Sequence, residues 1–271
     1  MCAMKRMLGF FGAGKMAEGI VQAVAAAGTF TGDRIVMAEK LPQRAKEMVK
    51  RYGVNVTPDA ADVAAKAGAT FLAVRPQDVA ELASQVKPLL TAKSLIVSIV
   101  AGKSLATLRR MFGTKVRLVR VMPNLALRAN EGMCAICPAK NATKEDVKLV
   151  TSILGAAGQT VVLKEKDFDA VTALSGSGPA FLAYMEEAMA EGGVKLGLKP
   201  DVARKLAEQT MLGTAAYLRK SGADLGEFIA GVATKGGTTA AGMDVMRASD
   251  FKQVVAATLD AAAKRSAELG K

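Results

Sequence analysis

A doubly wound α/β sheet followed by an all-helical domain is the fold class this sequence predicts. Three observations predict it. Short β-type runs alternate with amphipathic helical runs up to about Leu163, a glycine-rich turn sits at the first strand-to-helix junction, and the strand pattern then gives way to helical spacing. The 271 residues allow one large or two medium domains, and with 51% of them apolar a sizeable core can form.

In chain order, "RMLGFFG" reads as the first strand and "KMAEGIVQAVAAAG" as the helix after it. The strand "RIVMAE" and helix "PQRAKEMVKRYG" follow, then "VNVT" with "PDAADVAAKAG", and "ATFLAVRP" with "QDVAELASQVKPLL". "SLIVSIVAG" with "SLATLRRMFG" and the strand "KVRLVRVMP" complete the series. Strand then helix, repeated, implies a parallel sheet covered by helices on both faces. Past Leu163, "DFDAVTALSGSGPAFLAYMEEAMAEGGVKLG", "DVARKLAEQTMLGTAAYLRKSG", "DLGEFIAGVA" and "DFKQVVAATLDAAAKRSAELG" space Leu, Val, Ala and Met as helices do. The expected boundary falls between residues 163 and 164. The later helices are rich in Ala and Gly, which permits close approach and leaves wide apolar faces suited to an intersubunit interface or to packing within the chain.

Composition removes several function classes. The net charge is +12, from 37 Lys and Arg against 25 Asp and Glu, yet the charges are scattered and aromatics are only 4%. With no RNA-binding or helix-turn-helix signature, this reads as a basic surface that attracts anionic ligands, with no nucleic-acid partner. Apolar runs are short and "MCAMKRMLGF" lacks a long apolar signal core, so a cytoplasmic location and no membrane association are expected. The cysteines, Cys2, Cys134 and Cys137, are odd in number. "CAIC" has no second pair and the chain has no histidine, so a tetrahedral zinc site cannot be completed. Two buried or half-buried strand cysteines are expected in "EGMCAICPAK", rather than a redox pair.

"GFFGAGKMAEG" links the first strand to the first helix. Gly12 permits a tight turn, Gly14 lets backbone amides approach a pyrophosphate, and Ala17 fills the third small position where helix meets strand. Because the motif sits inside a complete βαβ unit ending at "RIVMAEK", it predicts a Rossmann-type dinucleotide site. Glu39 ends the second strand, where a carboxylate can accept both ribose hydroxyls, and this leans toward NADH over NADPH. Lys40 and Arg44 follow; turned inward they would neutralise a 2′-phosphate, and turned outward they belong to a solvated loop.

"ATKGGTTAAGMD", Ala233 to Asp244, carries no thiol, carboxylate or imidazole in its turn. Gly236 and Gly237 free backbone N–H groups, and Thr238 and Thr239 add hydroxyls at a helix N-terminus whose dipole favours negative charge. The turn is suited to an anion. "LSGSGPAF", Leu174 to Phe181, has small residues fit for close packing against a flat ligand or a neighbouring helix. A nicotinamide site and a carboxylate cradle together suggest hydride transfer to a small carboxylate-bearing substrate. A ketone would require a proton donor for the developing alkoxide, commonly His, Lys or Tyr, whereas a cyclic imine can arrive already protonated. A chain without histidine fits the imine.

These segments, with "LAVRPQDV", "SIVAG", "VRVMPN", "DAVTALSGSGPAF", "GGVKLGL", "AEQTMLGTA" and "GGTTAAGM", resemble pyrroline-5-carboxylate reductases, the enzymes of the last step of proline biosynthesis. The resemblance spans almost the whole chain, and "SGSGP" with "GGTT" is specific to that family among Rossmann proteins. It implies reduction of 1-pyrroline-5-carboxylate to L-proline by NADPH or NADH. It also implies an NAD(P)-binding domain over residues 1–163 and a helical substrate-binding and dimerisation domain over 164–271. The partner is then a second copy in a homodimer, and some members assemble into rings of dimers. Carried over, Phe11, Gly12, Ala13, Gly14, Lys15, Met16, Ala73, Val74, Arg75, Pro76, Ile99, Val100 and Ala101 line the cofactor, with Asn124 near the nicotinamide end. Glu165, Thr234, Gly236, Gly237, Thr238 and Thr239 surround the imino-acid substrate, and Thr239 gives its hydroxyl to the carboxylate as the catalytic candidate.

The chain departs from the family at three points: Lys235 stands where a proline is usual, Leu125 and Ala126 replace a Thr-Pro pair, and Arg75 replaces a lysine. These bear on rate and on the ring substituents tolerated more than on reaction class. Two other readings compete. A β-hydroxyacid-type dehydrogenase would need a catalytic lysine in the helical domain, for which Lys195 and Lys205 are the candidates. A nucleotide-sensing homologue without turnover would draw on the altered "KGG" and "MPNLA" segments.

Overall fold

The computed structural model describes residues 7–270; Cys2 lies outside them. Eight strands form one sheet: β1 Met7–Phe11, β2 Ile35–Ala38, β3 Asn55–Thr57, β4 Ala67–Leu72, β5 Leu95–Ser98, β6 Arg117–Pro123, β7 Gly132–Pro138 and β8 Gly158–Val162. Their spatial order is β3-β2-β1-β4-β5-β6-β7-β8. Between them run α1 Lys15–Ala26, α2 Pro42–Tyr52, α3 Ala60–Lys66, α4 Val79–Val86, α5 Leu105–Phe112 and α6 Lys144–Gly155.

The alternation of side chains along the strands builds a core on each face of the sheet. From β1, Leu8 and Phe10 enter a cluster with Ile20, Val24, Met37, Phe71, Val97 and Ile153, where Phe10 and Phe71 stack at 5.2 Å. Phe11, one residue on, enters the opposite cluster with Leu72, Val79, Val86, Ile96, Leu108 and Phe112. Burying each such side chain contributes roughly 1.5–3 kcal/mol. The helix ends are set locally: Pro42 opens α2, Gly53 closes it at φ 63°, and Thr143 with Asp146 forms a capping box on α6.

All neighbouring strands are parallel except β6 and β7. The sequence pattern implied a parallel sheet throughout, and the exception has a physical reason. Residues 124–131 between β6 and β7 hold only a short 3₁₀ turn, Leu125–Ala129, and Asn130 at φ 59°. A parallel return needs a crossover of a dozen or more residues, so this connection turns the chain back on itself.

The remaining helices are α7 Phe168–Val171, α8 Gly178–Lys195, α9 Pro200–Ser221, α10 Leu225–Val232, α11 Thr238–Ala248 and α12 Phe251–Leu269. By compactness the chain forms two units: the first runs to Gly176 and takes in the chain from Ala262 onward, and the second is Ser177–Ala261. In the first, Phe168 is buried with Ala135 and Cys137, and Ser266 of α12 donates to Asp169 Oδ1 at 2.7 Å. In the second, α8 and α9 approach closely, since a Cβ on Gly193 would lie 3.2 Å from the Ala203 Cβ. Only Ala203 and Ala207 of this unit are buried, and large apolar side chains such as Leu182, Tyr184, Leu212 and Val245 are exposed in the single chain. Among the described residues no helix is long and apolar enough to cross a membrane.

Candidate active site

The order β2-β1-β4 places β1 and β4 side by side with their chain connections leaving in opposite directions, and a crevice opens at such a switch point. Here it is a cleft of about 650 Å³ above the ends of β1, β2 and β4. Phe11 pairs in register with Ala38 and Leu72, so the residues following the three strands emerge together. The turn is fixed by Gly12 N–H donating to the Ala38 carbonyl at 2.9 Å and Ala73 N–H donating to the Phe11 carbonyl at 2.9 Å.

The glycines have separate reasons. Gly12 sits at φ 96°, and a Cβ there would come within 2.7 Å of the Ala73 carbonyl oxygen. Gly14 has nothing nearer to such an atom than 4.0 Å, so a side chain would occupy the open cleft instead. Gly14 is also the N-cap of α1, which no side chain caps, so the helix presents its first N–H groups to an anion. These residues fit the pyrophosphate of a dinucleotide.

Of the residues expected to line the cofactor, Phe11, Gly12, Ala13, Gly14, Glu39, Ala73, Val74 and Arg75 line this cleft. Lys15 and Met16 begin α1, and Pro76 begins a 3₁₀ turn. Val100 is buried in the core beneath, between Ile99 and the exposed Ala101. Asn124 follows β6, where its Oδ1 accepts from Met133 N–H at 3.1 Å and its amide donates to Ser175 Oγ at 3.4 Å. Ser175 belongs to a π-helical turn, Thr172–Gly176, which takes in the first two residues of "SGSG", while Ser177 is the N-cap of α8 and Gly178 begins it.

The charge of the cleft was only partly legible. Glu39 Oε2 accepts from Ala13 N–H at 3.2 Å and its Oε1 from Leu41 N–H at 2.9 Å. Lys40 pairs with Glu81 at 3.3 Å and Arg75 with Asp78 at 2.9 Å. Asp59, Glu81 and Gln85 line the cleft without a sequence signal that marked them. Arg44 is absent from the lining. Its Nε donates to the Ala13 carbonyl at 2.8 Å and its terminal nitrogens to Glu18 and Glu47. The glycine motif does not mark Glu18; its signal is an acid within the buried apolar stripe Ala17, Ile20, Val21, Val24.

Glu165 stands elsewhere in the first unit. Its Oε1 accepts from Leu105 N–H at 2.6 Å, at the start of α5, and from Arg120 at 3.1 Å. Arg120 lies 4.6 Å over the Phe168 ring. The carboxylate borders a groove of about 970 Å³ with Arg109, Lys140 and Lys164. Cys137 forms part of its floor, and burial with Glu165 nearby pushes that thiol up. Cys134, three residues earlier, points into the other core, where burial pushes its thiol up to about 12. Both are free.

In the second unit, Gly236 takes φ 76° and Gly237 N–H donates to the Thr234 carbonyl at 3.0 Å. Gly237 is the N-cap of α11, no side chain caps it, and Thr238 and Thr239 are exposed on its first turn. The turn therefore offers uncapped N–H groups and two hydroxyls at one helix end. Lys195 ends α8 and Lys205 lies on α9, and both are exposed in the single chain.

The fold and the cleft define a two-domain oxidoreductase that takes a nicotinamide dinucleotide. Residues 165–269 match the family model for pyrroline-5-carboxylate reductase dimerisation, and residues 7–102 match that for NADP oxidoreductases that are coenzyme F420-dependent. The pyrroline-5-carboxylate reductase of Pisum sativum is 38% identical over 97% of this chain and 95% of its own. The chain belongs to the pyrroline-5-carboxylate reductase family. The solved reductase of Coxiella burnetii superposes with a TM-score of 0.94 at 29% identity, covering 98% of this chain and 99% of that one. That of Plasmodium falciparum, with NADP bound, gives 0.87 at 28% identity over the same shares.

Proposed function

We propose that this chain reduces 1-pyrroline-5-carboxylate to L-proline, the last step of proline biosynthesis, with hydride from NADH or NADPH. The observation that carries the reading is that a dinucleotide cleft and an uncapped glycine-threonine helix start occur in one chain with no histidine. Thr239 gives its hydroxyl to the substrate carboxylate, with Thr234, Gly236, Gly237 and Thr238 around it. Hydride added to the C=N carbon of the protonated ring leaves a neutral secondary amine, so the chain needs no proton donor for that step. Its work is to bind, orient and neutralise charge.

The charges of the cleft favour NADH. Four carboxylates, Glu39, Asp59, Asp78 and Glu81, face it against two cations, Lys40 and Arg75, and each cation is already paired. A 2′-phosphate brought there meets net negative charge. The second unit's exposed apolar faces suit a homodimer, with further association into a ring of dimers in the cytoplasm. The test is product analysis with the imine and NADH: proline equal to the cofactor oxidised supports the reading, and oxidation without proline contradicts it.

A further inference from the structure

Beneath the cleft lies a polar cluster that reaches the cleft's lining at the Ala13 carbonyl. Glu18 on α1, with 7% of its side chain exposed, accepts from Arg44 at 2.7 Å, from Arg51 at 2.6 Å and from the Tyr52 hydroxyl at 3.1 Å. All three partners belong to α2. Arg44 uses each of its guanidinium nitrogens: Nη2 on Glu18, Nη1 on Glu47 at 2.6 Å, and Nε on the Ala13 carbonyl at 2.8 Å. Burial pushes the Glu18 carboxyl up, but the bonds from Arg44 and Tyr52 and the charges of Arg44 and Arg51 outweigh it and hold the carboxyl below its ordinary value. Arg44 is held charged in turn, with burial opposed and outweighed by Glu18 and Glu47.

Arg44 is five residues past Glu39, close enough in the chain to serve the adenosine ribose, and a guanidinium is the side chain best shaped for a phosphate. The structure spends it on the underside of the glycine turn. We propose that Glu18 is a positioning residue that sets cofactor preference: by holding Arg44 on the Ala13 carbonyl it withholds that guanidinium from an adenosine 2′-phosphate and leaves the ribose to Glu39. The proposal deepens the NADH reading given above and rests on it. Two consequences follow. Without Glu18, Arg44 has one carboxylate fewer to hold it and gains access to the ribose side. Without Arg44, the Ala13 carbonyl loses its donor, which affects the turn for both cofactors alike.

The experiment compares wild type, Glu18→Gln, Arg44→Met and the double variant, reading kcat/KM for NADPH over that for NADH with the imine held constant. Glu18→Gln is expected to raise the ratio about fivefold or more, Arg44→Met to leave the ratio unchanged, and the double variant to return it to the wild-type value. Glu18→Asp, which keeps the charge, should stay near wild type. An unchanged ratio in Glu18→Gln, or a raised ratio that persists in the double variant, overturns the proposal. If Glu18→Gln does not fold, Arg44→Met alone decides: a selective loss of NADPH use shows Arg44 reading the phosphate and overturns it, and a loss shared by both cofactors supports it. A wild type that prefers NADPH, with Arg44→Met leaving that preference intact, removes the NADH reading while Arg44 stays off the phosphate.

Discussion

The Glu39 carboxylate accepts the N–H of Ala13, so the acid that follows β2 is bonded to the glycine turn that would hold the pyrophosphate. The bond fixes the carboxylate at the rim of the cleft, with Leu41 N–H on its other oxygen. A charge so placed repels a 2′-phosphate within a few ångströms by several kcal/mol at an effective dielectric of about 20, before salt and solvent reduce it. Glu39→Ser should move the kcat/KM ratio toward NADPH by about tenfold, one 1.4 kcal/mol step. A ratio unchanged by the substitution would place Glu39 outside cofactor choice.

For the glycine-threonine turn, Thr239→Val removes a hydroxyl with little change of shape. A hydrogen bond to a charged group contributes about 1.5–3 kcal/mol, so kcat/KM for the imine should fall about 10- to 150-fold. Cofactor affinity, measured by fluorescence titration, should not change. Unaltered kcat/KM would make the turn a structural helix start.

Glu165 gives a prediction that separates two roles. The resemblance puts it beside the substrate, whereas its carboxylate here holds the Leu105 N–H and Arg120, whose side chain is 10% exposed. Glu165→Ala should lower the thermal midpoint by an amount equivalent to about 1–3 kcal/mol, reduced from a fully buried pair because Glu165 is itself 35% exposed. A raised KM for the imine at unchanged Tm would return it to the substrate.

Much of this was legible because the signals are local. The glycine turn, the alternation of Leu8 and Phe10 against Phe11, and the acid at Glu39 each depend on neighbours in sequence. The antiparallel β7 was legible in principle, from the short "NLALRANE" connection. What stayed hidden depends on distant partners: Arg44 on Ala13, Glu165 on Arg120, Ser266 on Asp169. The strand-like alternation around "CAIC" matches the two buried cysteines of β7. Period-two alternation sends Cys134 and Cys137 to opposite faces of β7.

That arrangement forbids a Cys134–Cys137 disulfide, and burial keeps both thiols protonated. In a Cys2→Ser background, a thiol reagent at neutral pH should label neither residue until the protein is unfolded. Rapid labelling of native protein would contradict the burial described.

The Glu18 cluster predicts an acid dependence of stability. A carboxyl whose folded value lies below its ordinary 4.5 contributes stability that is fully present above 4.5 and is lost as pH falls through the lower folded value. Denaturant midpoints should therefore drop more steeply below pH 4.5 in wild type than in Glu18→Gln. Parallel curves would show that the cluster does not couple to folding.

The most direct measurement of the central claim follows NAD(P)H absorbance with pyrroline-5-carboxylate and, separately, with a 3-oxo acid. Oxidation with the imine alone is the expected result, since the chain supplies an anion cradle and no histidine to protonate an alkoxide. Oxidation with the 3-oxo acid, or with neither substrate, would contradict it.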